Sequence, residues 1–559
     1  MSVYVSVCTR TYIYLFTYLS TYQYLNRSVS LLSEHTIEQR NRVSSYVKLP
    51  FIFRYKHCPG NNGRLILSNF RKRPWWQSGA QDKRIKAKKE KPPEDQREGA
   101  PTTLWDMSTK LSNEDLGWVR PKTARTVNMV WEMSRNPKRY ASYDYISVVL
   151  NHLENNQWLV SKKKMYFAIR EYYKSIGKDV LDIIPRTFYL SSYVGGSDKT
   201  EECELEAFKR YNLSYPDRTQ RAIGIENSKE GVNGCSPDCE SQPIWIVKPG
   251  SFANRGFGIQ VVRGYDAALR VVEGVVPDPT SAETSSVGAE KDEVEQYEAS
   301  PCKGDKCKPQ PGADCNELTK RASALARSYG WIAQEYISHP MLIMGRKFDI
   351  RCFVLLVNST MDGLKAYWYR DGYIRLSCKR YSLSRLSDRE THLTNDAVQK
   401  GSKLYKDVVS KLSYAEWQES INKEYPTVSA DIVEQRIIPK IREQAEIAIL
   451  AAMEKGLATT KIHRSFELLG YDFMVDSDFN PFLIEINTNP CLEFTCPLLE
   501  RIIGTLVDNV WKIVIDDWFP PPPEHARTKY TEEAIIRIEN EPNLFELLYD
   551  SKKTSISNC

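Results

Sequence analysis

The sequence predicts a mixed α+β or α/β enzyme, because strand-like apolar runs, amphipathic helical segments and hairpin signals follow one another along the chain. Its 559 residues are enough for two to four domains, or for one multi-lobed enzyme with disordered tails. A net charge of +6 is small for this length, so no nucleic-acid partner is expected. Thirteen scattered cysteines favour reduced thiols in an intracellular protein.

The first hundred residues are interpreted as a disordered or uninterpretable basic arm, residues 1–101. Residues 1–25 lack both a continuous apolar segment and a small-residue cleavage site, so neither a signal peptide nor a membrane span is expected. Residues 64–91 are basic, which is typical of a solvated arm. A docking site for an acidic partner or a nuclear signal is the alternative.

An N-terminal lobe is predicted over residues 102–195. Apolar residues recur at helical spacing over 105–118 and 124–153, and a further amphipathic run covers 162–176. Residues 183–190 predict an extended segment that leads into a strand. The sequence therefore predicts order from about residue 102 onward.

A central lobe is predicted over residues 196–330, with disordered insertions at 225–242 and 276–318. Both insertions contain cysteines, and a zinc site there is the less favoured of two interpretations, because the cysteine spacings are not those of a zinc knuckle.

A glycine-containing loop follows the first strand of this central lobe. Lys248 ends the strand, and Arg255, Gly256 and Gly258 follow before the next strand begins. Glycines let backbone N–H groups approach an anion closely, and the two cations add positive charge. The pattern predicts a phosphate-binding loop, with a plain hairpin turn as the alternative.

A C-terminal lobe is predicted over residues 331–523, followed by a charged tail over 524–559. Asp371-Gly372 separates two alternating runs and predicts a type I′ hairpin between them. The expected elements are strands at 331–335, 352–357, 366–369 and 373–376 and a helix at 432–457.

The first of these strands ends at a possible hinge. Gln334, Glu335, Tyr336 and Ile337 lead out of the strand toward Pro340. A strand that leaves a core and turns there exposes backbone groups, which can pair with the edge of an adenine ring.

Three charged residues open the next strand. Lys347, Asp349 and Arg351 alternate along the chain, so they share one face of it. A charged row beside an apolar strand is costly unless it meets ligand or partner charges. An exposed edge face is the alternative.

A hairpin near the C-terminus predicts a cation site. Two apolar runs, 471–475 and 482–487, flank a polar turn. Glu485 and Asn487 point the same way, and Asp472 on the partner strand can join them. Three oxygen donors suit a hard cation such as Mg²⁺. A half-exposed hairpin with one polar face is the alternative.

Together these blocks resemble, in order, those of the tubulin–tyrosine ligase-like family, over about residues 180–520. The blocks are Ile246-Val247-Lys248-Pro249, Arg255-Gly256-x-Gly258-Ile259, Gln334-Glu335-Tyr336-Ile337, Lys347-Phe348-Asp349-Ile350-Arg351, Tyr369-Arg370-Asp371-Gly372-x-x-Arg375, His392-Leu393-Thr394-Asn395, Phe466-Glu467-Leu468-x-Gly470-x-Asp472 and Leu483-Ile484-Glu485-Ile486-Asn487. Eight blocks in one order are far more specific than any single block.

The resemblance implies an ATP-grasp core, with the nucleotide between two lobes, and a set of residue roles. Lys248, Arg255, Gly256, Gly258, Lys347 and Asp349 would hold the nucleotide, with Gln334, Glu335, Tyr336 and Ile337 at the adenine. Arg351, Arg375 and Asn395 would act on the reacting groups, and Asp472, Glu485 and Asn487 would bind Mg²⁺.

The implied reaction is ATP-dependent addition of an amino acid to a glutamate carboxyl of a tubulin tail, through an acyl phosphate. ATP and Mg²⁺ are the implied cofactors, and tubulin and a free amino acid are the implied partners. The resemblance also implies a monomer that contacts neither nucleic acid nor membrane. Its location would be the cytoplasm and the microtubule cytoskeleton, with the cilium or basal body as an option.

Three alternatives stay open. Glutamate or glycine is favoured as the added amino acid, with terminal tyrosination second, and the short tail after Pro523 weakens processive polyglutamylation slightly without excluding it. A non-catalytic tubulin-binding protein is disfavoured, because Lys248, Lys347, Asp472, Glu485 and Asn487 are all present. Another ATP-grasp ligase or kinase is disfavoured by the two arginines and the His-Leu-Thr-Asn block.

Overall fold

The fold is taken from a computed structural model of the chain. It describes residues 53–57, 62–78, 128–132, 148–190, 204–215, 242–251, 256, 258–273, 330–359, 362–406, 410–458, 464–516 and 518–556. Two compact units are present, and the larger comprises residues 55–73, 127–520 and 533–559. Of the smaller, residues 53–54, 74–78 and 521–532 are described.

The described strands, in chain order, are β1 (Phe53–His57), β2 (Trp76–Ser78), β3 (Met129–Trp131), β4 (Val149–Leu150), β5 (Thr187–Leu190), β6 (Ile244–Pro249), β7 (Gln260–Arg263), β8 (Trp331–Glu335), β9 (Leu342–Ile343), β10 (Arg346–Ser359), β11 (Gly363–Tyr369), β12 (Tyr373–Leu376), β13 (Lys411–Ser413), β14 (Arg464–Val475), β15 (Pro481–Thr488) and β16 (Phe545–Asp550).

The described helices are α1 (Gly63–Arg71), α2 (Gln157–Val160), α3 (Lys162–Ser175), α4 (Leu205–Leu213), α5 (Tyr265–Glu273), α6 (Arg389–His392), α7 (Asp396–Gln399), α8 (Tyr414–Glu424), α9 (Ile438–Glu454), α10 (Pro497–Val514), α11 (Lys529–Asn540) and α12 (Ser551–Ile556). Short 3₁₀ turns lie at Val180–Asp182 and Glu524–Ala526, and a π-helical turn, Val433–Ile437, leads into α9.

A large mixed sheet is built around β10, which is buried for almost its whole length. Its order runs β13, β12, β10, β14, β4, β3, β1, with β11 and β9 also paired to β10, β15 to β14 and β16 to β11. The antiparallel β14–β15 hairpin predicted from the sequence is confirmed, and Asp472 lies opposite Glu485 in its register. Because β10 is covered on both sides, its interior is apolar and its charges cluster at one end.

A small antiparallel sheet, in the order β5, β8, β6, β7, carries Lys248 and Gln334. Lys248 pairs with Ile332 across β6 and β8, and Gln334 pairs with Thr187 across β8 and β5. Phe188, Phe208 and Trp245 pack against one another beneath this sheet and fix α4 to it.

The main core lies between the large sheet and helices α3 and α9. Each helix buries one apolar stripe, as the spacing over 162–176 and 432–457 predicts. Representative members are Met165, Ile169, Ile441, Ala445, Ala448, Ile350, Val354 and Phe473. No helix among the described residues is both long and apolar enough to cross a bilayer.

The helix predicted over 124–153 is wrong for the described residues of that stretch, 128–132 and 148–153. The described part of this stretch contains the buried parallel strands β3 and β4. Both are short, fully buried apolar runs, which helical and strand periodicity cannot tell apart at this length. The predicted helix at 105–118 and the insertions at 225–242, except for its last residue, and at 276–318 lie outside the described residues.

The predicted hairpin between β11 and β12 is also wrong. Both strands instead pair with β10, one after the other along the same long strand. Gly372 is not in the left-handed region that a type I′ turn requires. A Cβ on Gly372 would lie 2.2 Å from Tyr414 Oη and 2.6 Å from the Arg351 carbonyl oxygen, so close packing explains the glycine.

Order begins earlier than the sequence predicts. Strand β1 and helix α1 fall inside the segment 1–101 that is expected to be a disordered arm. Arg73, part of the basic run at 64–91, is 0% exposed and bonds Asp508 and Asp516. It is therefore a structural ion-pair partner and is not available to an acidic ligand.

Candidate active site

The candidate site begins with Lys248, at the end of β6 in the small sheet. This side chain is 3% exposed, and its Nζ donates to Gln334 Oε1 at 2.9 Å. Gln334 in turn donates from Nε2 to Thr187 Oγ1 at 2.9 Å. This chain of hydrogen bonds across three strands fixes the ammonium group, and no carboxylate among the described residues forms an ion pair with it.

A second buried lysine, Lys347, enters the same cleft from β10. Its Nζ donates to the His392 carbonyl oxygen at 2.8 Å and to Tyr336 Oη at 3.1 Å. Tyr336 Oη and His392 Nδ1 are 2.8 Å apart. Burial lowers the pKa of His392, so its ring is neutral and can accept a hydrogen bond from the Tyr336 hydroxyl.

Burial lowers the pKa of both lysines to about 7. Lys162 adds to the effect at Lys248, and Lys248 adds to it at Lys347, which places the three ammonium groups in one electrostatic neighbourhood. Buried cations are unfavourable unless anions compensate them, and here Glu485 and Asp349 offset the desolvation of Lys248 and Lys347 only in part. Binding of a polyanionic ligand beside these lysines would therefore be favourable, because it would offset the free-energy cost of burying their charges.

The charged row on β10 meets partner charges, as the sequence analysis requires. Asp349 accepts two hydrogen bonds from Arg375, Nε at 2.6 Å and Nη2 at 2.8 Å, and one from Thr394 Oγ1 at 2.5 Å. Arg351 bonds Asp472 in the same bidentate way, at 2.6 and 3.0 Å. The alternative of an exposed edge face is wrong, because these side chains are buried.

Arg375 links the two pairs. Its Nη2 lies 3.0 Å from Asp472 Oδ2, so one carboxylate receives two guanidinium groups. Burial and the two neighbouring carboxylates, Asp349 and Asp472, act in opposite directions on Arg375, and its pKa is raised overall. Both arginines remain charged at any ordinary pH.

The predicted ligands of the cation lie close together on the β14–β15 hairpin. Asn487 Nδ2 donates to Asp472 Oδ2 at 3.1 Å and to Glu485 Oε1 at 3.2 Å. Glu485 Oε2 lies 3.0 Å from Lys162 Nζ. Burial opposes the charged form of Glu485, but Lys162 and Lys248 outweigh it and hold its pKa well below the usual range.

These donors fit a magnesium ion in kind. Two carboxylates and an amide that can turn its oxygen inward make an all-oxygen set, which hard cations prefer. Among the described residues no cluster of three or more His, Cys, Asp or Glu side chains forms a metal site. The hairpin set differs from such a cluster because its third member is an asparagine.

The glycine loop approaches the segment of helices α6 and α7 at Gly256. Its φ of 72° and that of 69° at Gly258 are left-handed, which favours glycine. Arg389 Nη2 donates to the Gly256 carbonyl oxygen at 2.7 Å, and Asn395 Oδ1 lies 3.4 Å from where a Gly256 Cβ would stand. Arg255 lies outside the described residues.

The predicted hinge is only partly free for a ligand. The N–H groups of Glu335 and Tyr336 already donate to the carbonyl oxygens of Arg186 and Ile244, at 2.7 and 2.8 Å. The Glu335 carboxylate turns to Tyr211 Oη, 3.1 Å away. Ile337, half-buried, is the next backbone position along the turn.

The structure links the predicted lysines, arginines, carboxylates and Asn487 through hydrogen bonds, ion pairs and electrostatic interactions, whereas the Glu335 side chain turns to Tyr211. Sequence reasoning missed Lys162, which contacts Glu485. A signal was available: Lys162, Lys163 and Lys164 occupy the first turn of α3, where the helix dipole disfavours cations. Cations in that place indicate a nearby anion.

The two sheets bring buried lysines near linked carboxylates, a charge pattern typical of proteins that bind phosphates. The sequence profile of the tubulin-tyrosine ligase family matches residues 141–525. The chain belongs to the tubulin-tyrosine ligase family.

Similar proteins fall into two named groups. The probable tubulin polyglutamylase TTLL9 of Mus musculus is 34% identical over 394 residues, which are 70% of this chain and 74% of the relative. Tubulin glycylase 3C of Tetrahymena thermophila is 35% identical over 188 residues, 33% of this chain. Tubulin monoglycylase TTLL3 of Mus musculus is 27% identical over 275 residues. This chain covers only 17% and 24% of the two glycylases.

Proposed function

We propose that this protein is an ATP-dependent ligase that joins a free amino acid, glutamate or glycine, to a glutamate side-chain carboxyl in an acidic tubulin tail. One observation carries the proposal: two buried lysines, Lys248 and Lys347, interact electrostatically with each other, and Lys248 also interacts with Glu485, which Asn487 links to Asp472. The relatives named as tubulin glycylases and polyglutamylases support this class of substrate.

The nucleotide would lie between the two sheets, in the manner of an ATP-grasp enzyme. Lys248 and Lys347 would bind its phosphate oxygens, and the low pKa of both lysines means that a phosphate recovers the free energy lost to burial. The backbone at Ile337 would meet the adenine edge. Gly256, held by Arg389, would bring backbone N–H groups close to the phosphates.

Asp472, Glu485 and Asn487 would hold Mg²⁺, whose charge would neutralise the phosphate oxygens during transfer. Arg351 and Arg375 hold Asp472 from the opposite side and keep its carboxylate fixed. Lys162 holds Glu485. These contacts orient the donors before any ligand arrives, so little reorganisation is needed.

The reaction would proceed in two balanced steps. A carboxylate oxygen of the tubulin glutamate attacks the γ-phosphorus, and the bond from that phosphorus to the β–γ bridging oxygen breaks, which leaves an acyl phosphate and ADP. The amine of the free amino acid then attacks the acyl carbon. The C–N bond forms, the C–O bond breaks, and the departing phosphate takes the amine proton. Arg351, Arg375 and Asn395 would position the carboxylate and exclude water.

The deciding experiment supplies purified tubulin with ATP, Mg²⁺ and one amino acid at a time, and reads the tails by mass spectrometry. We expect added glutamate or glycine on internal glutamates. Tyrosine at the C-terminal end instead would favour terminal ligation, and no mass change with any of the three amino acids would refute ligase activity.

A Glu485→Gln variant tests the site within the same assay. The change removes one negative charge at the cation site, so incorporation should fall below about 1% of wild type while the fold survives. Asp478→Asn is the matched control, because Asp478 is an exposed carboxylate in the turn of the same hairpin. Normal incorporation by Glu485→Gln would contradict the cation assignment.

With tubulin as acceptor, the protein would act on microtubules in the cytoplasm, including those of a cilium or basal body. A free amino acid would be its second partner. Binding of the purified protein to microtubules in a co-sedimentation assay would test this placement independently of catalysis.

A further inference from the structure

Asn62, outside the segment that matches the family, reaches the loop that follows the proposed cation strand β15. It occupies the N-cap of α1, yet its side chain makes no capping hydrogen bond to that helix. Asn62 Nδ2 donates to the Pro490 carbonyl oxygen at 3.0 Å, and the Leu492 N–H donates to Asn62 Oδ1 at 3.1 Å. An N-cap asparagine usually bonds the first turn of its own helix, so this one serves the distant loop instead.

The loop that Asn62 holds lies against the arginine of the site. A Cβ built on Gly470 would stand 3.0 Å from Pro490 Cβ and 3.3 Å from both Cδ and Nη1 of Arg351. Pro490 and Arg351 therefore pack at the same point on β14, with only a glycine beneath them. Arg351 bonds Asp472, so a shift of Pro490 would displace Arg351 and, through it, the Asp472 carboxylate.

The helix that carries Asn62 is firmly anchored. Arg73 donates from Nε and Nη2 to Asp516, at 2.6 and 2.5 Å, and from Nη1 to Asp508 at 2.8 Å. Phe70 packs on Trp511, with ring centroids 4.9 Å apart. Both acidic residues and the tryptophan belong to the C-terminal region, so residues 62–73 are fixed there and can act as a rigid support.

We propose that Asn62 is a positioning residue for the cation site: through Pro490 it fixes Arg351, and through Arg351 it fixes Asp472. The inference rests on the proposed function for the identity of the cation. It extends the site to a segment before residue 141, where the family match begins. A group that bonds a metal ligand directly, as Arg351 bonds Asp472, changes metal affinity by about 10- to 100-fold when it is removed, and Asn62, which acts on Arg351 through Pro490, is expected at the low end of that range.

The test measures the Mg²⁺ concentration that gives half-maximal binding of a fluorescent ATP analogue to the full chain, together with the melting temperature. Asn62→Ala removes both hydrogen bonds and should raise that concentration about tenfold. Asn62→Asp keeps the acceptor for Leu492 N–H but places a carboxylate oxygen where Nδ2 donates to the Pro490 carbonyl oxygen. The repulsion between these two oxygens should impair it at least as much as Asn62→Ala.

Asn69→Ala is the matched control, because Asn69 is a buried asparagine of the same helix whose Nδ2 bonds only the Leu65 carbonyl oxygen in its own helix. We expect it to lower the melting temperature and to leave the Mg²⁺ requirement within twofold of wild type. An Mg²⁺ requirement that Asn62→Asp leaves unchanged would overturn the proposal. So would an equal rise in Asn69→Ala, which would indicate general loosening.

The binding assay separates this inference from the proposed function. If the wild-type chain adds no amino acid to tubulin, ligase activity fails, yet the Mg²⁺ requirements of the variants can still be compared. If the wild type is an active ligase and Asn62→Asp binds nucleotide at the wild-type Mg²⁺ concentration, only the inference about Asn62 fails.

Discussion

Nucleotide binding by this protein should take up protons from solution, because Lys248 and Lys347 both have a pKa of about 7 in the free protein. At pH 8 roughly one tenth of each lysine is protonated, whereas both should be protonated beside phosphates. Binding at pH 8 should then consume close to two protons per nucleotide, about 1.8. At pH 6 the lysines are already about nine-tenths charged, and the uptake should fall to about 0.2.

The direction in which nucleotide affinity changes with pH follows from the difference in bound protons between the complex and the free protein. The complex holds more protons than the free protein above pH 7, so affinity must fall as pH rises through and beyond 7. Below pH 6 the affinity should be insensitive to these two lysines. Isothermal titration calorimetry in buffers of different ionisation enthalpy, at pH 6 and pH 8, measures the uptake directly.

Lys347→Arg supplies the sharpest comparison, because arginine stays charged and cannot take up a proton. The uptake at pH 8 should fall by about one proton in this variant. Lys379→Arg is the control, since the Asp388 partner raises the pKa of Lys379 and keeps it charged at both pH values. The nucleotide's own titration is common to all variants and cancels in the differences. Equal uptake at pH 6 and 8, or no effect of Lys347→Arg, would refute the reasoning.

Three stability predictions follow from buried contacts. Arg351→Met leaves the Asp472 carboxylate with one fewer cation and should lower the free energy of unfolding by about 3–5 kcal/mol, measured by urea denaturation. Gly372→Ala forces a methyl group against Tyr414 Oη and should cost about 1–3 kcal/mol, seen as a lower melting temperature. Arg73→Met should cost a similar 3–5 kcal/mol, and an unchanged urea midpoint would show that this segment is not part of the fold.

Local patterns were sufficient for the elements that carry the site. Alternation along β10 predicted that Lys347, Asp349 and Arg351 share a face, and the structure pairs the last two with Arg375 and Asp472. The hairpin signal around residues 471–487 predicted its register closely enough to join Asp472 and Glu485. These predictions held because strand periodicity is a property of the backbone and needs no knowledge of distant partners.

Prediction failed where distant packing decided the outcome. The Asp-Gly pair at 371–372 has the composition of a hairpin turn, but a fourteen-residue β10 offers room for β11 and β12 in succession, and sheet pairing outweighs the turn preference. The short strands β3 and β4 are central and parallel, so they show no alternation that would separate them from a helix.

The sequence by itself determined the family, the strand faces and most of the charged groups of the cleft, since these depend on residue order and on a two-residue period. Only the tertiary structure decided that Lys162 holds Glu485, and that Asn62 and Arg73, far earlier in the chain, hold the region after β15. Such contacts join residues hundreds of positions apart, and no local pattern records them. They form because buried polar and charged groups must find partners wherever the folded core brings them together.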